Sequence, residues 1–174
     1  VPLSSLSLID TDDFKHILEL RKYHSHKGTY GHCVVIGGDK GKVGAALLAA
    51  RSALKLGAGS VTVELMAPNA PLYDPMQPEL MIADEPVDFS NADAIVIGCG
   101  MGFSQKAKDR LIAAVRSNVP LIIDADALTM ISQDKSLEDE VLARKAHTVI
   151  TPHPGEAARM LHRDFKSIKA DRVT

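Results

Sequence analysis

Cysteine is scarce in this sequence. Its two residues, Cys33 and Cys99, stand far apart and outside any C-x-x-C spacing, which argues against a zinc site or a disulfide framework and fits a reducing cytoplasm. Long apolar runs are missing too. None approaches the roughly 20 residues of a membrane span, and the opening VPLSSLSLIDTDDFKHILEL lacks the basic and long apolar regions of a secretory signal. The chain therefore reads as cytoplasmic, with no membrane partner. An excess of charge of one sign is also absent. A formal net charge of −2 gives no general attraction to nucleic acid or anionic lipid, so a ligand has to be argued from local sites. No internal repeat or low-complexity linker divides the chain, and 174 residues with 45% hydrophobic content suit a single domain over 1–174.

What is present is an alternation of short apolar runs with helix-like segments. CVVIGG (33–38), SVTVEL (60–65), AIVIG (94–98), LIIDAD (121–126) and TVIT (148–151) are continuous apolar runs of the kind that form strands covered on both faces. Between them, GAALLAARSALKLG (44–57) is a helix stopped at Gly57. A second, SQKAKDRLIAAVRSN (104–118), is capped by Ser104 and turns Ala107, Leu111, Ala114 and Val115 to one side. Four of the nine prolines fall in 67–80, an irregular loop. The order β-α-β-α predicts a mostly parallel sheet with helices on both faces, and ligands in such folds bind outside the carboxyl ends of the strands.

That rule singles out four loops. GGDKGKVGAA (37–46) carries four glycines before a helix, which suits an anion or phosphate, or else a tight turn needed for packing. It matches neither G-x-G-x-x-G nor the Walker pattern, having one spacer too few before Gly41-Lys42 and Val43 where a hydroxyl should stand. GCGMG (98–102) repeats the arrangement after another strand. In DADAL (124–128), Asp124 and Asp126 either share one side of a strand end and organise magnesium or a hydroxyl, or Asp124 caps a helix starting near Ala125. In ITPHPGE (150–156), the two prolines hold His153 in a stiff connector before a helix that begins at Pro154 and carries Glu156 in its first turn. His24, His26 and His32 read as surface residues, with Lys27 and Gly28 beside them open to a role at a site. Cys33 reads as a buried strand residue, and Cys99 lacks an activating base.

HKGTYGHCVVIGGDKGKVGAALLAARSALKLGAGSVTV, PELM (78–81), DAIVIGCGMG, DADAL and TPHPGEAARML, in this order between His26 and Leu161, together resemble the NAD(P)H-hydrate dehydratase family. The resemblance implies a ribokinase-like three-layer α/β/α sandwich. It also implies a lyase that uses ADP or ATP with Mg2+ to return the S-form of hydrated NADH or NADPH to the intact cofactor. Phosphorylating the hydrate's hydroxyl makes a leaving group, and elimination restores the ring. By motif, the resemblance assigns Ala45, Gly102 and His153 to contacts with the hydrated dinucleotide, His153 as a positioning hydrogen-bond donor. Gly37, Gly38, Gly41, Gly98, Gly100 and Asp126 belong to the surrounding motifs. The resemblance further implies a homo-oligomer, with a tetramer the plausible form, and an epimerase domain or partner that supplies the substrate epimer.

The departures from the family pattern carry expectations of their own. Cys99 and Met101 stand where GPGLG is usual, Thr129 where DADALN has asparagine, and Asp39 where serine is commoner. The family's later lysine-glycine strand and its G-x-G-D loop, with the catalytic aspartate, have no counterpart before Thr174, although IKADRVT reads as the start of a helix leading toward them. The chain is accordingly expected to correspond to the first two thirds of the catalytic domain, to leave a sheet edge exposed, and to be inactive alone while its parent protein is active. Two other readings compete: a ribokinase-like kinase of a vitamin precursor or sugar, and a non-catalytic nucleotide-binding module. On the dehydratase reading, His153→Ala should weaken ligand binding and leave the fold intact.

Overall fold

Val34, Val35 and Ile36 follow one another along the chain and are all fully buried, so the strand that carries them must be covered on both faces. A computed structural model, which describes residues 8–17 and 20–170, shows how. That strand is β1 (His32–Gly37), and it lies in a six-stranded sheet with β2 (Ser60–Leu65), β3 (Met81–Ala83), β4 (Ala94–Ile97), β5 (Leu121–Ile123) and β6 (Thr148–Ile150). The order is β3-β2-β1-β4-β5-β6, and every pairing is parallel.

After a short helical turn, α1 (Thr11–Phe14), the helices are α2 (Val43–Leu56), α3 (Gln105–Arg116), α4 (Ala125–Ser132), α5 (Lys135–Leu142), α6 (Pro154–Met160) and α7 (Phe165–Ala170). Alternate side chains of the central strands serve two cores. Val35, Val61, Val63 and Leu65 pack with Ala46 and Ala50 of α2. Val34, Ile36, Ile95, Ile97 and Ile123 pack on the other face with α3, α4 and α5. The result is the three-layer α/β/α arrangement that the alternation predicts.

Local chemistry sets the ends of these elements. Ser104 accepts from the amide of Ala107, and Ala107, Leu111, Ala114 and Val115 form the buried face of α3, as the periodicity predicts. Gly57 closes α2 in the left-handed region at φ 115°, where a side chain is disfavoured. The run LIIDAD is shorter as a strand than expected. It ends at Ile123 because Ala125, at φ 49°, turns the chain straight into α4. Sequence periodicity misses β3, only three residues long behind a proline-rich loop, and α5. Of the expected helix at IKADRVT, residues 168–170 belong to α7 and 171–174 lie outside the described residues.

His32 is not a simple surface residue. It opens β1, and its ring lies 2.9 Å from Ser60 Oγ and 3.3 Å from Thr62 Oγ1, stitching β1 to β2. Lys27 and Gly28 sit beside the amino end of the sheet, where the Lys27 carbonyl presses on Gly59, and so lie away from the carboxyl-end loops. β6 is the outer strand on its side, with Val149 and Ile150 half exposed. No helix among the described residues is long and apolar enough to cross a membrane.

The proline-rich loop is anchored on α2 by Arg51, whose Nε and Nη2 each donate to the Asp74 carboxylate at 2.6 Å. That contact, reinforced by the Met76 amide, holds Asp74 below the usual carboxylate range. A carboxylate depressed in the folded state stabilises above its unfolded pKa of about 3.9 and loses that contribution as pH falls through the lower folded value. The stability read from acid unfolding by circular dichroism should therefore fall as pH drops below about 4, and Asp74→Asn should flatten this part of the curve. An identical acid limb in the variant would remove Asp74 from the acid response.

Candidate functional site at the carboxyl edge

The strand order reverses between β1 and β4, so the loops that leave their carboxyl ends diverge to opposite faces and open a crevice there. Both expected glycine loops meet at this point. Gly38 donates to the Cys99 carbonyl at 3.0 Å and Asp39 to the Gly100 carbonyl at 2.7 Å, while Gly98 donates to Ile36 at 3.1 Å. The glycines make this approach possible, since a Cβ at Gly37 would stand 2.4 Å from the Cys99 carbonyl oxygen.

This interlocking occupies several amides of the loops themselves and leaves the helix-start donors expected after the first loop. The Gly38, Asp39 and Met101 amides bond backbone carbonyls, and the Gly102 amide bonds Asp126. The donors left at the crevice belong to the start of α2. Its cap position, Lys42, gives no side-chain cap, and helix geometry provides no intrahelical acceptor for the amides of Val43 and Gly44. Ala45 follows them, half buried, its own amide on the Lys42 carbonyl at 3.0 Å. Gly41 beside them has nothing within 4 Å of a notional Cβ among the described residues, so space is open on that side.

Asp126, in the first turn of α4, fastens the second glycine loop. Its Oδ2 accepts from the Gly102 amide at 2.9 Å and from Lys42 Nζ at 2.7 Å. Gly102 is buried, at φ 71°, and a Cβ there would fall 2.2 Å from Asp39 Oδ2. Gly37, Gly38, Gly98, Gly100, Gly102, Ala45 and Asp126 thus surround one crevice, and Lys42, which motif reasoning passes over, closes it.

Asp124 and Asp126 do not form the expected carboxylate pair on a strand end. Strand geometry stops before them, and each serves different donors. Asp124 occupies the cap position of α4 without capping it. Its Oδ1 accepts from Thr151 Oγ1 at 2.8 Å and its Oδ2 from the Cys99 thiol at 3.6 Å. Burial, and after it Asp124, pushes the Cys99 thiol up to about 11, and burial pushes Cys33 up to about 11, so neither is a thiolate nucleophile near neutral pH. Among the described residues no group of three or more His, Cys, Asp or Glu is arranged to hold a metal ion.

His153 has a structural role that the prolines alone do not reveal. It is the N-cap of α6: its Nδ1 accepts from the Gly155 amide at 2.9 Å and the Glu156 amide at 3.4 Å, and Glu156 Oε2 returns a bond to the His153 amide at 2.9 Å. An Nδ1 that accepts must have its proton on Nε2, and that nitrogen lies 3.2 Å from Glu156 Oε1, so the ring's own donor is turned toward its helix. The ring is exposed on the same edge of the sheet, but its hydrogen-bond partners all belong to its own loop and helix. His153→Ala should therefore lower stability by about 1 kcal/mol through the lost cap, measurable by urea denaturation, while the fold stays intact.

Two hollows flank these loops. One, of about 260 Å3, sits at the carboxyl ends of β2 and β3 and is lined by Leu65, Asn69, Asp84 and Lys106 among others. It adjoins the first glycine loop, since Met66 and Ala67 donate to the carbonyls of Gly37 and Gly38. The other, an open cleft of about 630 Å3, lies between α4, α6 and α7 beside Gly155, with Arg159 and Arg163 on its wall. Neither was legible from motifs, because Lys106 and Arg159 are ordinary helix residues in the sequence.

Comparison with known proteins places this geometry. Residues 33–174 match the family described as NAD(P)H-hydrate dehydratase. The chain is 38% identical to an ADP-dependent (S)-NAD(P)H-hydrate dehydratase of Neisseria meningitidis, over 92% of this chain and 55% of that protein. It is 35% identical to the bifunctional NAD(P)H-hydrate repair enzyme Nnr of Escherichia coli, over 98% of this chain and 33% of that one. The fold superimposes on an ADP/ATP-dependent NAD(P)H-hydrate dehydratase of Bacillus subtilis co-crystallised with ATP/Mg2+, with a TM-score of 0.72 and 27% identity over 91% of this chain and 58% of that one. A ribokinase-like superfamily protein of Enterococcus faecalis gives the same TM-score of 0.72 at 26% identity. The chain thus spans about a third to about half of the length of these curated relatives.

Proposed function

Since the chain belongs to the NAD(P)H-hydrate dehydratase family, we propose that it supplies the hydrated-dinucleotide side of an ADP- or ATP-dependent dehydratase site, in a protein that returns the S-form of hydrated NADH or NADPH to the intact cofactor. The observation that carries this reading is the crevice between β1 and β4, where the uncapped start of α2, Lys42 and the fastened Gly102 loop converge. Positive helix ends and a lysine suit the pyrophosphate of a dinucleotide. In this reading Ala45, Gly102 and His153 contact the ligand. Gly37, Gly38, Gly41, Gly98 and Gly100 shape the crevice, and Asp126 holds Gly102 and Lys42 in register.

The chemistry needs a leaving group. Transfer of a phosphoryl group from ADP or ATP to the hydrate's hydroxyl replaces hydroxide by phosphate as the departing group, and loss of a proton from the neighbouring ring carbon restores the double bond. Magnesium in this proposal accompanies the nucleotide phosphates, whose charge it neutralises. The described residues do not fit a protein-held magnesium cage, because Asp124 and Asp126 are engaged by Thr151, Cys99, Gly102 and Lys42. We assign no catalytic base to these 174 residues. We read them as one domain-forming unit, the first part of the catalytic domain, within a cytoplasmic homo-oligomer, plausibly a tetramer, that works with an epimerase. The bifunctional name of the Escherichia coli relative and the share of it that is matched support the second activity.

The test is recovery of the near-ultraviolet absorbance of reduced nicotinamide when hydrated NADH is mixed with Mg2+, ADP or ATP, and protein. Recovery by a longer product of the same gene but not by the 174-residue chain is the expected result. Recovery by neither, with phosphorylation of a vitamin precursor or sugar instead, would favour a kinase. Binding of the nucleotide with no turnover in either form would favour a non-catalytic module.

A further inference from the structure

The proposed dinucleotide site has two parts, the crevice of interlocked glycine loops and the His153 loop, and they leave the sheet from different strands. Backbone ladders carry the register only as far as Asp124, whose amide donates to the Ile97 carbonyl at 3.0 Å, and Thr151, whose amide donates to Ile123 at 3.2 Å. Beyond those points the chains separate, and side chains must hold the loops.

Asp124 does this. At a helix N-terminus, aspartate ordinarily accepts the first free amides of its own helix. Here it occupies the cap position, in extended backbone, and makes no such bond. Its two carboxylate oxygens instead reach in opposite directions, one to Thr151 at 2.8 Å and one to the Cys99 thiol at 3.6 Å. The backbone is built around that orientation. Ala125 is held at φ 49°, a conformation uncommon for a residue with a side chain, and Gly98 admits the Asp124 carbonyl where a Cβ would stand only 1.8 Å away. A carboxylate diverted from its usual partner, by backbone that pays a conformational penalty to divert it, is placed for what it now touches. Thr151 is two residues before His153, and Cys99 is three before Gly102.

We propose that Asp124 is a positioning residue for the dinucleotide site, setting the His153 loop against the Gly98–Gly102 loop through Thr151 and Cys99. The proposal rests on the reading of this edge as a dinucleotide site. The cysteine gives it a feature specific to this sequence: the thiol donates a bond that the proline usual at this place in the family pattern has no hydrogen to make.

Binding of the S-form of hydrated NADPH to the chain, measured by equilibrium dialysis, tests it. Thr151→Val keeps the shape and removes the hydroxyl, and it should weaken binding by roughly five- to tenfold, the worth of one hydrogen bond. Thr151→Ser, which retains the donor, should stay within about twofold of wild type on the same scale. The double variant Thr151→Val with His153→Ala should bind no more weakly than His153→Ala alone, because Thr151 acts through His153. A merely structural Thr151 would add its effect to that of His153. Wild-type binding weakened by His153→Ala but not by Thr151→Val, or equal weakening by the valine and serine variants, overturns the positioning role and leaves the functional reading standing. A wild-type chain that is folded by circular dichroism and does not bind the hydrate overturns the functional reading itself.

Discussion

Gly98→Ala is expected to destabilise the protein by about 4 kcal/mol, at the upper end for a single substitution. Two independent obstacles meet at this residue. Its φ of 120° lies where side chains are disfavoured, and the new Cβ would stand 1.8 Å from the Asp124 carbonyl oxygen, 2.8 Å from the Asp124 carbonyl carbon and 2.9 Å from the Ala127 Cβ. The first two of those are backbone atoms of the β5–α4 junction, which cannot rotate aside. Relief requires β4 and β5 to part just where the Asp124 amide bonds Ile97. Gly41→Ala is the control, because its φ of 76° carries the same kind of backbone penalty with nothing within 4 Å of the added carbon. It should cost only about 1 kcal/mol. Urea denaturation of both variants separates the terms, and equal losses would mean that the contact at Gly98 relaxes and that close packing of the two junctions is not what the glycine provides.

Arg110→Met should cost about 3–5 kcal/mol, because it strands a buried carboxylate. Glu64 lies on the face of β2 turned toward α3 and is 1% exposed. Its Oε2 lies 2.8 Å from Arg110 Nη2 in an ion pair and accepts from the Val87 amide at 3.0 Å, while Arg110 donates to the Val87 carbonyl at 2.7 Å and stacks 4.5 Å over Phe89. The cluster clamps the β3–β4 connection between sheet and helix. It is imperfectly satisfied: Glu64 Oε1 and Arg110 Nε have no hydrogen-bond partner among the described residues. That favours a specific outcome for the double replacement. Glu64→Leu with Arg110→Met removes both charges and both unsatisfied atoms, and should recover most of the single variant's loss. Thermal melts of the three proteins decide it. A double variant no better than Arg110→Met would show that the aromatic stack and the Val87 bonds, rather than the stranded charge, dominate.

The periodic parts of the fold were legible in the sequence because burial is periodic. Continuous apolar runs marked β1, β2, β4, β5 and β6, and the spacing of Ala107, Leu111, Ala114 and Val115 marked the buried side of α3. Where the signal was short or local chemistry overrode it, sequence reasoning erred. Three residues of β3 give no period to count. Asp124-Ala125-Asp126 reads as part of the LIIDAD strand, yet the left-handed turn at Ala125 follows a strand that ends at Ile123.

The sequence by itself determined that chemistry belongs at the carboxyl ends of the strands and which loops would be there, because glycine, proline and histidine restrict the backbone or the protonation state wherever they occur. Only the tertiary structure decided what those residues do to one another. Glycines read as making room for a ligand also let two loops bond each other's backbone, a histidine that looked presented caps its own helix, and two aspartates read as a pair or as a cap face separate partners. The physical reason is that a residue's conformational freedom is encoded locally, whereas the occupant of each donor and acceptor is fixed by which strand lies next to which. Here that order reverses between β1 and β4, a fact no local stretch of the chain contains.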